Sequence, residues 1–323
     1  MIQPAMTTVL NVPFASRSSL LAPLLLVAGL LWAGGTVAPA HAQQPQIVTV
    51  GQEEDSGRYE LFLGLGTGGG NWHILGQEAL LPVDFNGFRA SGYYQRPALY
   101  ARVSLQWDTI AVHAPGESQP SFSRTDLSGR LLASVVQGQV GGLAAGIYGR
   151  YNRSHLYASP REPSTPRAKL RETETVGALL ALHSNLDAGA RLILMGGGLL
   201  ERRTTGPDLP VPQLLAGSMA GVHAELPIGQ HLRAHLRADA GAWWWSSPQV
   251  EAGLTGELVR GFYWDGTARL SVKLFSGVAA YGGVAASGRS EVIRFRRGPR
   301  EVDVSEDFMS RLSGTFGIVF RDL

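Results

Sequence analysis

The chain has no cysteine, so it holds no disulfide, no thiolate metal site and no cysteine nucleophile. Charge is scarce as well: Asp, Glu, Lys and Arg make up 17% of 323 residues, and 28 Lys+Arg against 26 Asp+Glu leave a net charge of +2. No Lys/Arg run appears before residues 294–300, so the electrostatic footprint of a nucleic-acid binder is missing and no nucleic-acid partner is expected. After residue 43 no apolar stretch reaches the roughly 20 residues that a membrane-spanning helix needs, and few segments carry the 3.6-residue period of an amphipathic one. What is abundant is glycine, at 41 residues, with a mean hydropathy of +0.01. A water-soluble domain seldom combines so few charges with so much glycine. Something other than a large soluble core is expected to absorb the apolar residues.

The first residues read as an export signal. Arg17 is the only charge before the apolar stretch Leu20 to Trp32, and the segment APAHA ends in Ala40, His41 and Ala42, an A-x-A cleavage pattern. The apolar stretch gives way to Gly34 and Gly35 too early to span a bilayer. Residues 1–42 are therefore expected to be a cleaved signal peptide, followed by a short polar lead over 43–56.

Beyond the lead the period is two. Tyr59, Leu61, Leu63 and Leu65 alternate with Arg58, Glu60 and the glycines Gly64 and Gly66. Leu99, Ala101, Val103, Leu105 and Trp107 alternate with Tyr100, Arg102, Ser104, Gln106 and Asp108. From Leu232 to Trp244 every even position is apolar, while the odd ones include His231, Arg233, His235, Arg237 and Asp239. Each segment is a strand with one face for lipid or core and one for water. Similar segments fall at about 128–138, 141–153, 173–185, 190–203, 213–227, 249–260, 265–278 and 306–320, with 85–95 completing an even set.

Short links at about 95–97, 139–141, 186–189, 227–230 and 261–265 alternate with longer ones at 67–84, 109–127, 154–172 and 204–212. Aromatic residues gather at strand ends, in Trp243 to Trp245 and in Phe262, Tyr263 and Trp264, and the chain closes on alternating Phe316, Ile318 and Phe320. Over residues 57–320 this resembles the outer-membrane β-barrel proteins of double-membraned bacteria, though Arg321, Asp322 and Leu323 follow the usual terminal aromatic. The resemblance is to the class and to no particular family. It implies an all-β fold, a single antiparallel transmembrane β-barrel in the outer membrane, and no reaction. The strand count is about 12, with 10 and 14 as the neighbouring even counts, and residues 279–305 are taken as one extended outer loop. A soluble β-sandwich alternates in the same way, but with shorter strands.

Pairing strands through their turns brings inward charges together. If Leu226 faces Leu232, then Glu225 faces Arg233 and His223 faces His235; if Trp244 faces Val250, then Arg237 faces Glu257, with Arg269 beside it. The resulting ladder, Glu225, Arg233, Arg237, Asp239, Glu257 and Arg269, is either an ion-selective constriction or a set of opposite charges filling a narrow barrel. The pair His223 and His235, with Asp239 one pleat further along, lacks a third ligand at zinc distance, since His231 lies about 13 Å away by strand rise, so no metal and no cofactor are expected. Ser154 with His155, and His183 with Ser184, are adjacent on strands and face opposite sides, so no catalytic residue is assigned. The GLGTGG stretch after Leu63 has no following helix and fits a strand better than a dinucleotide site.

The segment at 288–301 carries Arg289, Arg294, Arg296, Arg297 and Arg300. These are candidate anion-binding residues of an outer loop, suited to lipopolysaccharide phosphates or an acidic polysaccharide, or else a solvated hairpin balanced by Glu291, Glu301, Asp303, Glu306 and Asp307. The function expected is a structural anchor of an envelope-spanning assembly for secretion or surface motility, or a narrow channel with a charged lumen. Its partners would be outer-membrane lipid, lipopolysaccharide and periplasmic or envelope-complex proteins. An outer-membrane enzyme acting on lipid or peptide, and a soluble β-domain binding lipid or polysaccharide, are the alternatives.

Overall fold

Period-two alternation becomes strand wherever the computed structural model describes the chain, at residues 57–73, 80–96, 98–113, 121–138, 141–157, 168–185, 190–205, 212–251 and 253–321. The expected signal and lead, residues 1–56, lie outside these. The strands are β1 (Arg58–His73), β2 (Leu80–Arg96), β3 (Leu99–Val112), β4 (Ser121–Gln137), β5 (Gly141–Tyr157), β6 (Ala168–Asn185) and β7 (Arg191–Thr205). They continue with β8 (Leu214–Ile228), β9 (Leu232–Ser246), β10 (Gln249–Glu251), β11 (Leu254–Phe275), β12 (Val278–Arg297) and β13 (Arg300–Arg321).

All pairings are antiparallel, and the sheet closes on itself. β1 meets β13 from Glu60↔Arg321 to His73↔Phe308, and β9 meets β11 from Val272↔Leu232 to Gly261↔Trp243. The three-residue β10 only flanks the start of β11, so the wall is a closed antiparallel barrel of 12 strands. Closure satisfies every ladder hydrogen bond without an edge, which is what hydrocarbon requires of a spanning sheet.

Alternation then sorts the side chains. Leu65, Leu105, Trp107, Leu180, Leu200, Leu236, Leu270, Leu312, Phe316 and Ile318 stand exposed on the outer wall, an apolar belt that water would not tolerate and lipid does. Arginines, carboxylates and a minority of aromatics turn inward. Trp244 and Trp245 sit outside, as an interfacial girdle should, but Trp243 and Tyr263 point into the lumen and are buried there. The expected aromatic clusters are thus split by strand alternation.

Two expectations about the last third of the chain need correction. Residues 249–260 and 265–278 are not two strands, because β11 runs unbroken through the expected link at 261–265 with a bulge at Val259. Residues 279–305 are not an extended loop either. They form β12, a tight turn at Gly298 (φ 59°) and the beginning of β13. The two errors cancel, and the strand count stays at 12.

β11, β12 and β13 are also longer than their neighbours. Above Gly261 β11 no longer pairs with β9, and above Phe308 β13 no longer pairs with β1. Seven residues at about 3.3 Å each carry this three-stranded ribbon roughly 20 Å beyond the barrel rim.

Candidate functional site: the lumen

One barrel end carries the close connections β2–β3, β4–β5, β8–β9 and β11–β12, with Gly229 (φ 68°) and Gly277 (φ 72°) in two of the turns. The other end carries the longer ones after β1, β3, β5 and β7. Short turns mark the periplasmic side of such barrels, which places the ribbon and the end near Trp72 on the outside. From the periplasmic end upward the inward side chains form four layers.

At the bottom, Arg233 Nη1 lies 2.8 Å from Glu60 and 2.9 Å from Glu225, and Arg321 Nε lies 3.0 Å from Glu60. His235 Nε2 is 3.6 Å from Glu60. Glu60, Glu225 and His235 bring ligand-type atoms within 4.8 Å of one another, but the Arg233 guanidinium already serves both carboxylates. A cation would have to displace it, so this cluster is read as an ion-paired one.

Above it sits an aromatic collar. Phe62 meets Tyr93 at 5.5 Å and Tyr281 at 5.4 Å between ring centroids, both edge-on. The Tyr100 hydroxyl is 2.9 Å from His223 Nδ1. Arg102 lies 5.2 Å over Tyr93, and Arg269 lies 5.1 Å over Phe62 and donates to Ser91 Oγ at 3.0 Å. Neither Arg102 nor Arg269 has a carboxylate within ion-pair distance among the described residues, although Arg102 is only 5% exposed.

The third layer is bracing. Arg130 on β4 grips Asp239 on β9 with both terminal nitrogens, at 3.2 and 2.8 Å, and Arg237 reaches Asp239 at 2.6 Å and Asp265 at 2.8 Å. Gly221 makes room for this, since a Cβ there would lie 2.3 Å from Asp239 Oδ1. On the opposite wall Asp108 is shared by Arg89 and Arg311, and Asp126 by Arg150 and Arg124.

At the top Arg203 on β7 forks onto Glu291 on β12 at 2.7 and 2.6 Å and also reaches Glu201 at 2.6 Å, while Arg289 joins the same two carboxylates. Between the third and fourth layers lies a cavity of about 120 Å³, lined by residues that include Tyr148, Trp243 and Tyr263, the arginines Arg124, Arg150, Arg289 and Arg311, and the acids Glu201 and Asp307.

The expected ladder is partly assembled. Glu225 and Arg233 do form an ion pair, but diagonally: Glu225 stands opposite His235, Arg233 opposite Pro227 and His223 opposite Arg237. Arg237 and Asp239 are lumenal partners of each other. Glu257 is not in the lumen; it is 44% exposed on the ribbon, 3.8 Å from Arg296. It faces neither Arg237, which stands opposite Thr267, nor Arg269, which stands opposite His235.

Of the proposed outer-loop arginines, Arg289 is inside the barrel. Arg294 pairs with Glu301 at 3.1 Å and Arg296 with Glu257, while Arg297 and Arg300 flank the ribbon's turn. His183 meets Ser134 Oγ at 3.1 Å rather than its neighbour Ser184. The GLGTGG stretch lies within β1.

Sequence reasoning missed the strongest braces, Arg130 with Asp239, Arg203 with Glu291 and the Asp108 and Asp126 centres. The signal was present for Asp108, which lies on the polar face of an alternating strand, but its partners sit up to 203 residues away on non-adjacent strands.

No protein-family model matches the chain, and no curated protein is detectably similar to it. Among solved structures it is similar to the translocator domain of the autotransporter NalP from Neisseria meningitidis at 10% identity, covering 84% of this chain and 90% of that one with a TM-score of 0.42. It is likewise similar to the transport unit of the autotransporter AIDA-I from Escherichia coli at 10% identity, covering 85% and 93% with a TM-score of 0.43. An outer membrane channel from Pseudomonas putida F1 matches at 9% identity, covering 85% and 100% with a TM-score of 0.42. The barrel itself rests on its own strand pairing.

Proposed function

We propose that this protein is a narrow channel of the outer membrane that favours anions. The observation supporting this is that particular lumenal arginines lack a carboxylate of their own. Asp108 and Asp126 each serve two arginines, and Arg102 and Arg269 have no acid at all among the described residues. Burying an uncompensated ion costs several kcal/mol even after relaxation. A lumen that only had to be filled would match its charges or do without them. Arginines without an acid of their own along a narrow lumen lower the barrier to anions and raise it for cations.

The test is current through the refolded protein in planar bilayers under a potassium chloride gradient. Small steps with a chloride-selective reversal potential are expected, and Arg102→Gln and Arg269→Gln should each weaken that selectivity. Arg297→Gln, out on the ribbon, should leave it unchanged. A preference for cations would sink the proposal.

A second reading, a non-conducting anchor for periplasmic or envelope-complex proteins, is favoured by Arg203 and Glu291, which cross the lumen with side chains 0% and 1% exposed. A well-inserted but silent barrel would select it. On either reading no catalytic role is assigned, and Arg297 and Arg300 are the arginines best placed to meet lipopolysaccharide phosphates.

A further inference from the structure

We infer that Tyr93 is the size gate of the lumen, passing small inorganic anions and turning away organic ones. This rests on the anion-channel reading and deepens it by naming the solute class that gets through. Tyr93 stands on β2, and its ring meets those of His223 on β8 at 5.6 Å and His235 on β9 at 6.5 Å between centroids. β2 and β8 lie half-way round the wall from each other, so at this level opposite sides of the barrel touch. On its own side Phe62 packs edge-on against the ring at 5.5 Å, and Arg102 covers it at 5.2 Å.

The material of the collar decides what such a closure does. The layers above and below close with arginine–carboxylate pairs, whose long, rotamer-rich stems can yield. Here rings close on rings, and an aromatic side chain has only two torsions, both held by the neighbours that clamp it. Phe62, Tyr281, Tyr100 and the two histidines are buried, whereas Tyr93 and Arg269 are half-buried. Space at this level therefore opens along Tyr93 and Arg269.

An ion that enters so tight a level sheds water and needs donors in its place. Arg269 lines that space and supplies them, while Arg102, stacked on Tyr93, adds its charge; neither has a carboxylate within ion-pair distance among the described residues. Chloride and nitrate carry only water to be stripped. The carbon chain of an organic anion cannot be shed.

Reversal potentials of the refolded full chain in planar bilayers test this, with chloride on one side and chloride, nitrate or gluconate on the other. Nitrate should permeate about as well as chloride, and gluconate at least tenfold less. Tyr93→Ala should raise gluconate permeability several-fold, while Tyr93→Phe, which keeps the ring, should still exclude it. Tyr148→Ala removes an equal ring from the upper cavity and should leave the exclusion intact, whereas a general loosening of the barrel would abolish it in both alanine variants. Tyr93→Val, a smaller strand former, replaces Tyr93→Ala if that variant lacks the heat-modifiable migration of a folded barrel. An anion current that carries gluconate as readily as chloride, or exclusion that survives loss of the Tyr93 ring, overturns the inference and leaves the anion channel standing. A cation-selective current, or a silent wild type that loss of the Tyr93 ring does not open, overturns both.

Discussion

At the scale of single residues the lumen is held by charges that neither water nor lipid can screen. Arg203 is the clearest case: its side chain is 0% exposed and it joins Glu201, two residues back on its own strand β7, to Glu291 on β12. Replacing it with methionine leaves Arg289 alone to serve two buried carboxylates, so the loss should approach but not exceed the roughly 3–5 kcal/mol of a fully broken buried pair. Replacing Arg203 and Glu291 together should cost clearly less than the sum of the single losses, which urea unfolding in micelles reads directly. Gly221→Ala is a sharper probe, because its Cβ would fall 2.3 Å from Asp239 Oδ1 and turn that carboxylate off Arg130. A loss of about 1–3 kcal/mol is expected for the spoiled bond. Gly198→Ala, where a Cβ meets nothing within 4 Å, should be neutral. Sequence told which way Arg233, Arg237 and Asp239 point, because direction follows from period two. It did not tell what they touch, because cross-lumen partners such as Arg130 and Asp239 share neither strand nor hairpin.

At the scale of elements the legible and illegible parts separate by the same physics. The alternating runs of β1, β3 and β9 announced themselves, since one face had to be apolar along its whole length. Register was misjudged by two in the β8–β9 hairpin, where Leu226 pairs with Ala234 rather than Leu232. A slip of two preserves the faces and changes every partner. Residues 261–265 in β11 read as a short link, and the chain there does carry the turn dipeptide Asp265-Gly266. In the barrel Asp265 instead faces inward to Arg237 at 2.8 Å, and the strand runs on. β12 read as loop because, with β11 already divided in two, an even strand count and two periplasmic ends left no place for another strand. Its Gly288 accommodates the Trp264 ring, and Gly283 lies close over the Arg269 backbone. The ribbon these strands build gives a test of orientation. Its turn carries the exposed Arg297 and Arg300, so trypsin added to intact cells should cut there and leave the barrel whole. Protection in intact cells, with cutting only after the outer membrane is opened, would reverse the assignment of inside and outside.

At the scale of the whole molecule, stability belongs to closure more than to any local cluster. The seam between β1 and β13 runs the full height of the wall and places Val319 against Ala279 and opposite Phe62, so the last strand completes both the ladder and the collar. A chain ending after residue 312 would lose β13's pairing with β1 from Gly68↔Ser313 down to Glu60↔Arg321. That exposes two rows of backbone donors and acceptors to hydrocarbon, at several kcal/mol for each unsatisfied group. It also frees Glu60 from Arg321 at the periplasmic mouth. Such a chain should fail to insert and should migrate without the heat-dependent shift of a folded barrel. Removing the ribbon above the rim, residues 294–303, takes away a similar length of strand but leaves every barrel ladder closed. It should therefore insert and shift as the intact chain does. If both deletions insert equally well, closure is not what holds this protein in the membrane; if only the second does, the seam is.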